Sequence, residues 1–198
     1  MSGLAHSELI LGGQRSGKSR RAEMLARQWL QQAAGHQAVL VATARSWDDE
    51  MRQRIARHQA DRAERVPGMQ TVEEMRDLGS AVQRLSRPDT LVVVDCLTLW
   101  LTNLLMPLFE PDRAQGSSEA QASALSDAAV AHLLQALGSA SGPVILVGNE
   151  IGMGVIPMGA PVRAFVDCLG RLNQAVAAAC SRVTLLAAGL PLTLKDTA

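Results

Sequence analysis

Glu8-Leu-Ile-Leu-Gly-Gly-Gln-Arg-Ser-Gly-Lys-Ser-Arg20 is the stretch that decides the fold of this 198-residue chain. A short apolar run, Leu9 to Leu11, ends in two glycines. From Gly12 to Ser19 the residues fit the phosphate-binding pattern G-x-x-x-x-G-K-[ST]. The residue types follow from what a polyphosphate needs. Its oxygens must meet a ring of backbone N–H groups at close range, so side chains are absent at Gly12, Gly13 and Gly17. A helix starting near Gly17 turns its positive end to the anion. Lys18 supplies a movable point charge for the β- and γ-phosphates, and the Ser19 hydroxyl is a ligand for Mg²⁺. A nucleoside triphosphate is therefore expected, with its use still open.

Outward from this loop, buried strands alternate with helices. Ser19 to Ala34 carries an apolar stripe of Ala22, Leu25, Ala26, Trp29 and Leu30 at helical spacing, and Gly35 stops it. Ala38 to Thr43 is a continuous apolar strand of the kind found inside a parallel sheet. Asp48 or Asp49 caps a helix that runs to about Arg65. A short extended piece spans 69–72, followed by a helical pattern over 73–85. Leu91 to Asp95 is another buried strand, and an apolar helix continues to Met106. Residues 107–121, with Pro107, Pro111, Gly116, Ser117 and Ser118, are expected to form a mobile excursion within one domain. A helix at 122–137, a strand at 144–147, a glycine-rich loop at 149–157 and a helix at 163–180 follow. Strands at 182–187 and 192–194 flank a turn near Gly189. This alternation predicts a three-layer α/β fold, a mostly parallel sheet with helices on both faces. Right-handed crossovers then gather Gly12–Ser19, Thr43–Asp49, Asp95 and Asn149–Pro157 at one edge.

Bulk properties narrow the possibilities. Nineteen lysines and arginines balance nineteen aspartates and glutamates, so nothing argues for nucleic acid or a membrane surface. Hydrophobic residues make up 47%, enough for a folded core, and no apolar run reaches a membrane span. The first residues lack the basic and apolar segments of a signal peptide. Cys96, Cys168 and Cys180 have no metal-ligand spacing and read as reduced core residues of a cytoplasmic protein.

Three places carry further chemistry. Asp95 ends an apolar strand, where a carboxylate holds Mg²⁺ beside a P-loop; alternatively it caps the next helix. His58 shares a helix face with Met51 and Ile55, which by phase alone suits packing. Arg54 and Arg62 lie four residues to either side of it, a setting suited to phosphate that would keep the imidazole neutral and nucleophilic. Asn149-Glu-Ile-Gly-Met-Gly-Val-Ile-Pro157 follows a strand and fits either a substrate loop or a strained turn. Arg163, Arg171 and Asn173 face phosphate or solvent. His6, His36 and His132 receive no role. On these residues alone a small-molecule kinase and a nucleotide-driven switch both stand open.

The combination is more specific than its parts. The P-loop, Asp48-Asp-Glu-Met51 with Arg54-Ile-Ala-Arg-His58, Val94-Asp-Cys-Leu-Thr98 with Thr102-Asn-Leu-Leu105, Asn149 to Pro157, and Gly170-Arg-Leu-Asn173 occur in one order. Together they closely resemble the bifunctional adenosylcobinamide kinase / adenosylcobinamide-phosphate guanylyltransferase family of cobalamin assembly, over nearly the whole chain. The resemblance implies a RecA-like P-loop fold and a trimer. It implies two reactions: transfer of a γ-phosphate to the aminopropanol hydroxyl of adenosylcobinamide, and attack by a histidine on the α-phosphate of GTP to form a guanylyl-histidine that passes GMP to the phosphorylated cobinamide. Either ATP or GTP could feed the first step. The matching histidine is His58, with Lys18 as the catalytic cation. The nucleotide contacts it implies are Leu11, Gly12, Gly13, Gln14, Arg15, Ser16, Gly17, Lys18 and Ser19; Ala42, Thr43 and Ala44; Gln59, Ala60, Asp61 and Arg62; and Glu73 and Asp95. Ser19 and Asp95 are the implied Mg²⁺ ligands. One departure is Met69, where relatives often carry a tryptophan. Because the two reactions strike different phosphorus atoms, the helix bearing His58 is expected to move.

Overall fold

The computed structural model describes residues 4–45, 49–105 and 119–197. Seven strands form one sheet: β1 (Ser7–Gly12), β2 (Gln37–Ala42), β3 (Gln70–Glu73), β4 (Thr90–Asp95), β5 (Val144–Val147), β6 (Arg182–Ala187) and β7 (Leu190–Asp196). Their order is β3-β2-β4-β5-β1-β6-β7. Every neighbouring pair is parallel except β6 with β7, which is antiparallel. The helices are α1 (Lys18–Gln32), α2 (Asp49–Arg65), α3 (Leu78–Leu85), α4 (Leu97–Leu105), α5 (Glu119–Gly138) and α6 (Ala160–Ala179).

The expected three layers are present, and the period of the strands explains them. Successive side chains on a strand point to opposite faces. Leu9 and Leu11 of β1 join Val92, Val94, Val144 and Leu146 in a core with Leu78, Trp100, Leu133 and Leu172, so α3 to α6 cover that face. Ile10 joins Leu40, Val93, Ile145 and Val147 in a second core with Ala22 and Ala26 of α1 and with Val66. Strands buried on both faces read as unbroken apolar runs for this reason. Each fully buried leucine or isoleucine contributes about 1.5–3 kcal/mol relative to exposure.

A buried charge pins the phosphate loop from below. Glu8 is fully buried within β1. Its Oε1 accepts from Arg21 Nη2 at 3.1 Å and from Thr184 Oγ1 at 2.7 Å. The carboxylate thus ties α1, into which the loop exits, to β1, from which it enters, and to the neighbouring β6. Removing one partner would strand a charge inside the protein, a change that costs about 3–5 kcal/mol.

Several boundaries differ from expectation. The helical pattern at 73–85 divides. Glu73 completes β3, and Glu74 Oε1 accepts from the backbone N–H groups of Arg76 (2.8 Å) and Asp77 (2.9 Å), which makes a turn. Asp77 then caps α3 by accepting from Ser80 N at 3.2 Å. That bond, with His132 and Arg84 nearby, holds the Asp77 carboxyl below its ordinary range. Its capping contribution is therefore complete above the unfolded carboxyl's titration and fades as pH falls through the lower folded value. At the other end α6 begins three residues early, because Gly159 caps it and a proline occupies its first turn. The last turn is Ala188–Gly189, both with positive φ, so Leu190 and Pro191 belong to β7. A proline is tolerated there because β7 is an edge strand. Of the expected excursion at 107–121, residues 119–121 start α5; the rest lies outside the described residues, as does Asp48.

Candidate active site

The site begins with the exit from β1. Gly12 has φ 154° and packs so closely that a Cβ would meet Leu186 O at 2.5 Å and Ser16 Oγ at 2.6 Å. Gly17, at φ 98°, is the N-cap of α1 and contributes no side chain. Between them Arg15 adopts the left-handed conformation, and Ser16 N donates to Gly13 O at 3.3 Å. The first turn of α1 holds no acidic residue, so its positive end is left for an anion. Lys18 is buried, and its Nζ donates to Gly13 O at 2.6 Å across the loop. Gln14 and Arg15 are exposed, while Ser16 and Ser19 are half-buried.

Register explains which other residues join the loop. Ala42 of β2 lies opposite both Glu73 and Asp95, and Asp95 lies opposite Val147, which in turn pairs with Ile10. Glu73, Ala42, Asp95 and the P-loop therefore share the C-terminal edge of the sheet, where open parallel sheets bind ligands. Asp95 is half-buried, and its carboxylate and the Ser19 hydroxyl are hard-oxygen donors of the kind that Mg²⁺ takes. Among the described residues no cluster of three or more histidine, cysteine or acidic side chains could hold a metal unaided.

Thr43 acts as a strut. It is fully buried; its Oγ1 donates to Cys96 O at 2.7 Å and accepts from Cys96 N at 2.8 Å. Its N–H donates to Asp95 O, and its carbonyl accepts from Asn103 Nδ2 at 2.7 Å. Each polar atom of Thr43 is thus used by the framework, which fixes Asp95 and leads the chain into half-buried Ala44. The sequence does not disclose the Asn103 role, since an asparagine within an apolar helix signals a buried partner without naming it.

His58 lies on α2, exposed, with Gln59 and Ala60 also exposed. The C-terminal part of that helix is anchored: Arg65 Nη1 donates to Glu23 of α1 at 2.9 Å, and Arg62 donates to Thr71 Oγ1 of β3 at 3.3 Å. Asp61 pairs with Arg65 one turn further along the helix at 3.1 Å. Hydrogen bonding to Glu23 is the first reason that the Arg65 guanidinium is held above its ordinary range. Met69 is half-buried against the core beneath α1. His36 stacks on Trp29 with 3.7 Å between ring centres, a structural role.

The glycine-rich loop after β5 resolves the choice about Asn173. This side chain is buried, and its Nδ2 donates to Asn149 O at 3.1 Å and Glu150 Oε2 at 3.3 Å. It braces the loop and faces neither solvent nor an open surface. Arg163 donates to the carbonyls of Pro157 and Met158, closing the loop's far end. Arg171 is exposed and donates to Cys168 Sγ. A cleft of about 430 Å³ separates Gly13–Ser16 from Glu150, Met153 and residues 185–188.

The cysteines give a direct check on this packing. Burial, with Asp95 beside it, pushes the Cys96 thiol up to about 12, and burial pushes Cys180 up to about 11. At pH 8 the thiolate, which is the reactive form, is then about one part in 10⁴ at Cys96 and one in 10³ at Cys180. Cys168, expected in the core, is instead only half-buried at its margin. A thiol-disulfide reagent is expected to react quickly with Cys168 alone in the folded protein and with all three cysteines after unfolding. Rapid release of three equivalents before unfolding would contradict the buried placement.

A phosphate loop joining strand β1 of a parallel sheet to helix α1, with a carboxylate at the tip of β4 and one strand between β1 and β4, defines a P-loop protein that works on nucleoside triphosphates. The family described as cobinamide kinase / cobinamide phosphate guanyltransferase matches residues 8–194, and the chain belongs to it. The bifunctional adenosylcobalamin biosynthesis protein CobP of Pseudomonas aeruginosa is 44% identical over 188 residues, covering 95% of this chain and 96% of its own length. The corresponding CobU protein of Escherichia coli is 35% identical over 188 residues, covering 94% and 98%. In fold alone the chain is similar to the flagellar accessory protein FlaH of Methanocaldococcus jannaschii, with a TM-score of 0.50, 12% identity and coverage of 98% of this chain and 80% of that one.

Proposed function

We propose that this enzyme first transfers the γ-phosphate of GTP or ATP to the aminopropanol hydroxyl of adenosylcobinamide, and then transfers GMP from GTP to the phosphate so formed. The second transfer runs through a guanylyl-histidine at His58. What most supports the reading is the family match across residues 8–194, which includes the P-loop and the α2 histidine in one chain.

Each residue then has a task. The P-loop amides and Lys18 bind and orient the triphosphate, and the charge on Lys18 opposes the negative charge that builds on the transferred group. Ser19 and Asp95 would hold Mg²⁺, which supplies further charge neutralisation when bound. Exposed His58 is available as a nucleophile toward the α-phosphate. Because α2 is tethered at its C-terminal part by Arg62 and Arg65, we take it to swing about that end between the two reactions. Leu11, Ala42, Thr43, Ala44, Gln59, Ala60, Asp61, Arg62 and Glu73 are the remaining nucleotide contacts in this scheme.

We further take the chain to act as one domain in the cytoplasm, as a homotrimer. Leu190, Leu192 and Leu194 expose one apolar side of edge strand β7, which suits association. No described helix is long and apolar enough to cross a membrane.

The deciding experiment supplies adenosylcobinamide with GTP labelled at either the γ- or the α-phosphate. Label from both positions is expected in the corrinoid, with α-label also held on the protein as a phosphoramidate that is acid-labile and base-stable. Transfer of γ-label without any protein-bound α-label would reduce the enzyme to a kinase. Nucleotide hydrolysis without transfer to the corrinoid would point instead to a nucleotide-driven switch.

A further inference from the structure

Strand β5 lies between β1, which leads into the P-loop, and β4, which carries Asp95. Residues leaving β5 therefore emerge between the phosphate cradle and the carboxylate on the cation's side. They are firmly held there. Gly148 N donates to Ile10 O at 3.0 Å, Asn149 N to Thr98 Oγ1 at 2.9 Å, and Glu150 N to Gly12 O at 3.1 Å. The half-buried Glu150 side chain lines the cleft with Gly13, Arg15 and Ser16. Its two oxygens each have a donor: Gly152 N reaches Oε1 at 3.0 Å, and Asn173 Nδ2 reaches Oε2 at 3.3 Å. The Asn173 amide is itself buried and oriented by Asn149 O.

A fixed carboxylate at the rim of a polyphosphate cradle is repelled by the ligand the cradle binds. Its placement is intelligible if it deals with a proton at the terminal phosphate. We propose that Glu150 is the base for the alcohol acceptor of the kinase reaction, an inference that rests on the function proposed above. In that step the acceptor oxygen bonds to the γ-phosphorus and the bond from that phosphorus to the β,γ-bridging oxygen breaks. The nucleoside diphosphate leaves with the bonding pair, and the hydroxyl proton passes to the Glu150 carboxylate. Asn173 and Gly152 are positioning groups that keep the carboxylate turned to the acceptor. The residues just beyond, Met153, Val155, Ile156 and Met158, are exposed and apolar, which suits the approach of a bulky acceptor from this side.

The two reactions differ in their need for such a base. An alcohol must lose a proton to become a phosphate ester, whereas a phosphate acceptor is already anionic. Glu150→Gln keeps the shape and, with its carbonyl oxygen turned to Asn173, one of the two positioning contacts, and removes the basicity. With cobinamide and γ-labelled GTP, its kcat is expected to fall about 100-fold or more, with KM for GTP within about threefold. The same preparation should form protein-bound GMP from α-labelled GTP, and pass it to supplied cobinamide phosphate, at the native rates. Glu150→Asp should recover part of the lost kcat. Phosphate transfer by Glu150→Gln within a few-fold of native would overturn the assignment, as would equal loss of both reactions, which marks a purely structural role. Absence of both transfers in the native protein would instead remove the function on which the assignment rests.

Discussion

His58→Ala is expected to carry no GMP after incubation with α-labelled GTP, and to make no GDP-linked corrinoid, while still passing γ-label to adenosylcobinamide. The loss should be complete within detection, because a nucleophile that forms a covalent intermediate has no substitute when its ring is removed. The residual kinase activity follows from the architecture. The phosphate loop and Asp95 belong to the sheet edge, whereas His58 stands on α2, whose described anchors are Arg62 and Arg65. An exposed position also makes the substitution mild for stability, within about 0.5 kcal/mol. Thermal unfolding at the native midpoint would confirm that the loss is chemical. Persistent labelling of the variant would move the nucleophile elsewhere in the chain.

Lys18→Ala should affect both reactions together. Its buried ammonium bridges the loop to Gly13 O, inside the cradle that both proposed transfers would share. Removing one charge from a preorganised phosphate site costs about 100- to 1000-fold in turnover. Rates of γ-transfer and of guanylyl-enzyme formation are each expected to fall by at least about 100-fold. Lys18→Arg should not restore them, because a planar guanidinium does not replace a compact ammonium at this distance from the backbone. A variant that lost only one reaction would mean that the two use separate phosphate sites. The contrast among the variants would locate the chemistry, with Lys18 expected to serve both reactions, His58 the second and Glu150 the first.

The order of strands and helices was legible because both signals are local. Continuous apolar runs such as Leu91 to Val94 mark strands buried on two faces, and the stripe from Ala22 to Leu30 marks a helix with one. Where local signals compete, the reading slipped. Residues 73–85 contain enough apolar periodicity for one helix, yet Glu74 binds the backbone of its own turn and Asp77 starts the helix afresh. The side chain that decided this boundary is polar, and hydrophobic periodicity does not count it. Asn173 was ambiguous for a related reason. Its helix phase admits several faces, and only the folded position of Asn149 and Glu150 tells which is used.

The sequence by itself determined the triphosphate loop, the parallel α/β plan, the candidate histidine and the likeness to a family that the whole-chain match establishes. These rest on short motifs, on period and on residue order, all of which survive unfolding on paper. Tertiary structure decided what lies between the motifs. It inserted β5 between the P-loop strand and the Asp95 strand, turned Thr43 into a strut and placed Glu150 in the cleft beside Gly13 and Ser16. Those positions depend on register between strands that are more than fifty residues apart in the chain, as with Val41 beside Val94. Such pairing is chosen by burial of both sheet faces at once, a cooperative property that no single stretch of residues carries.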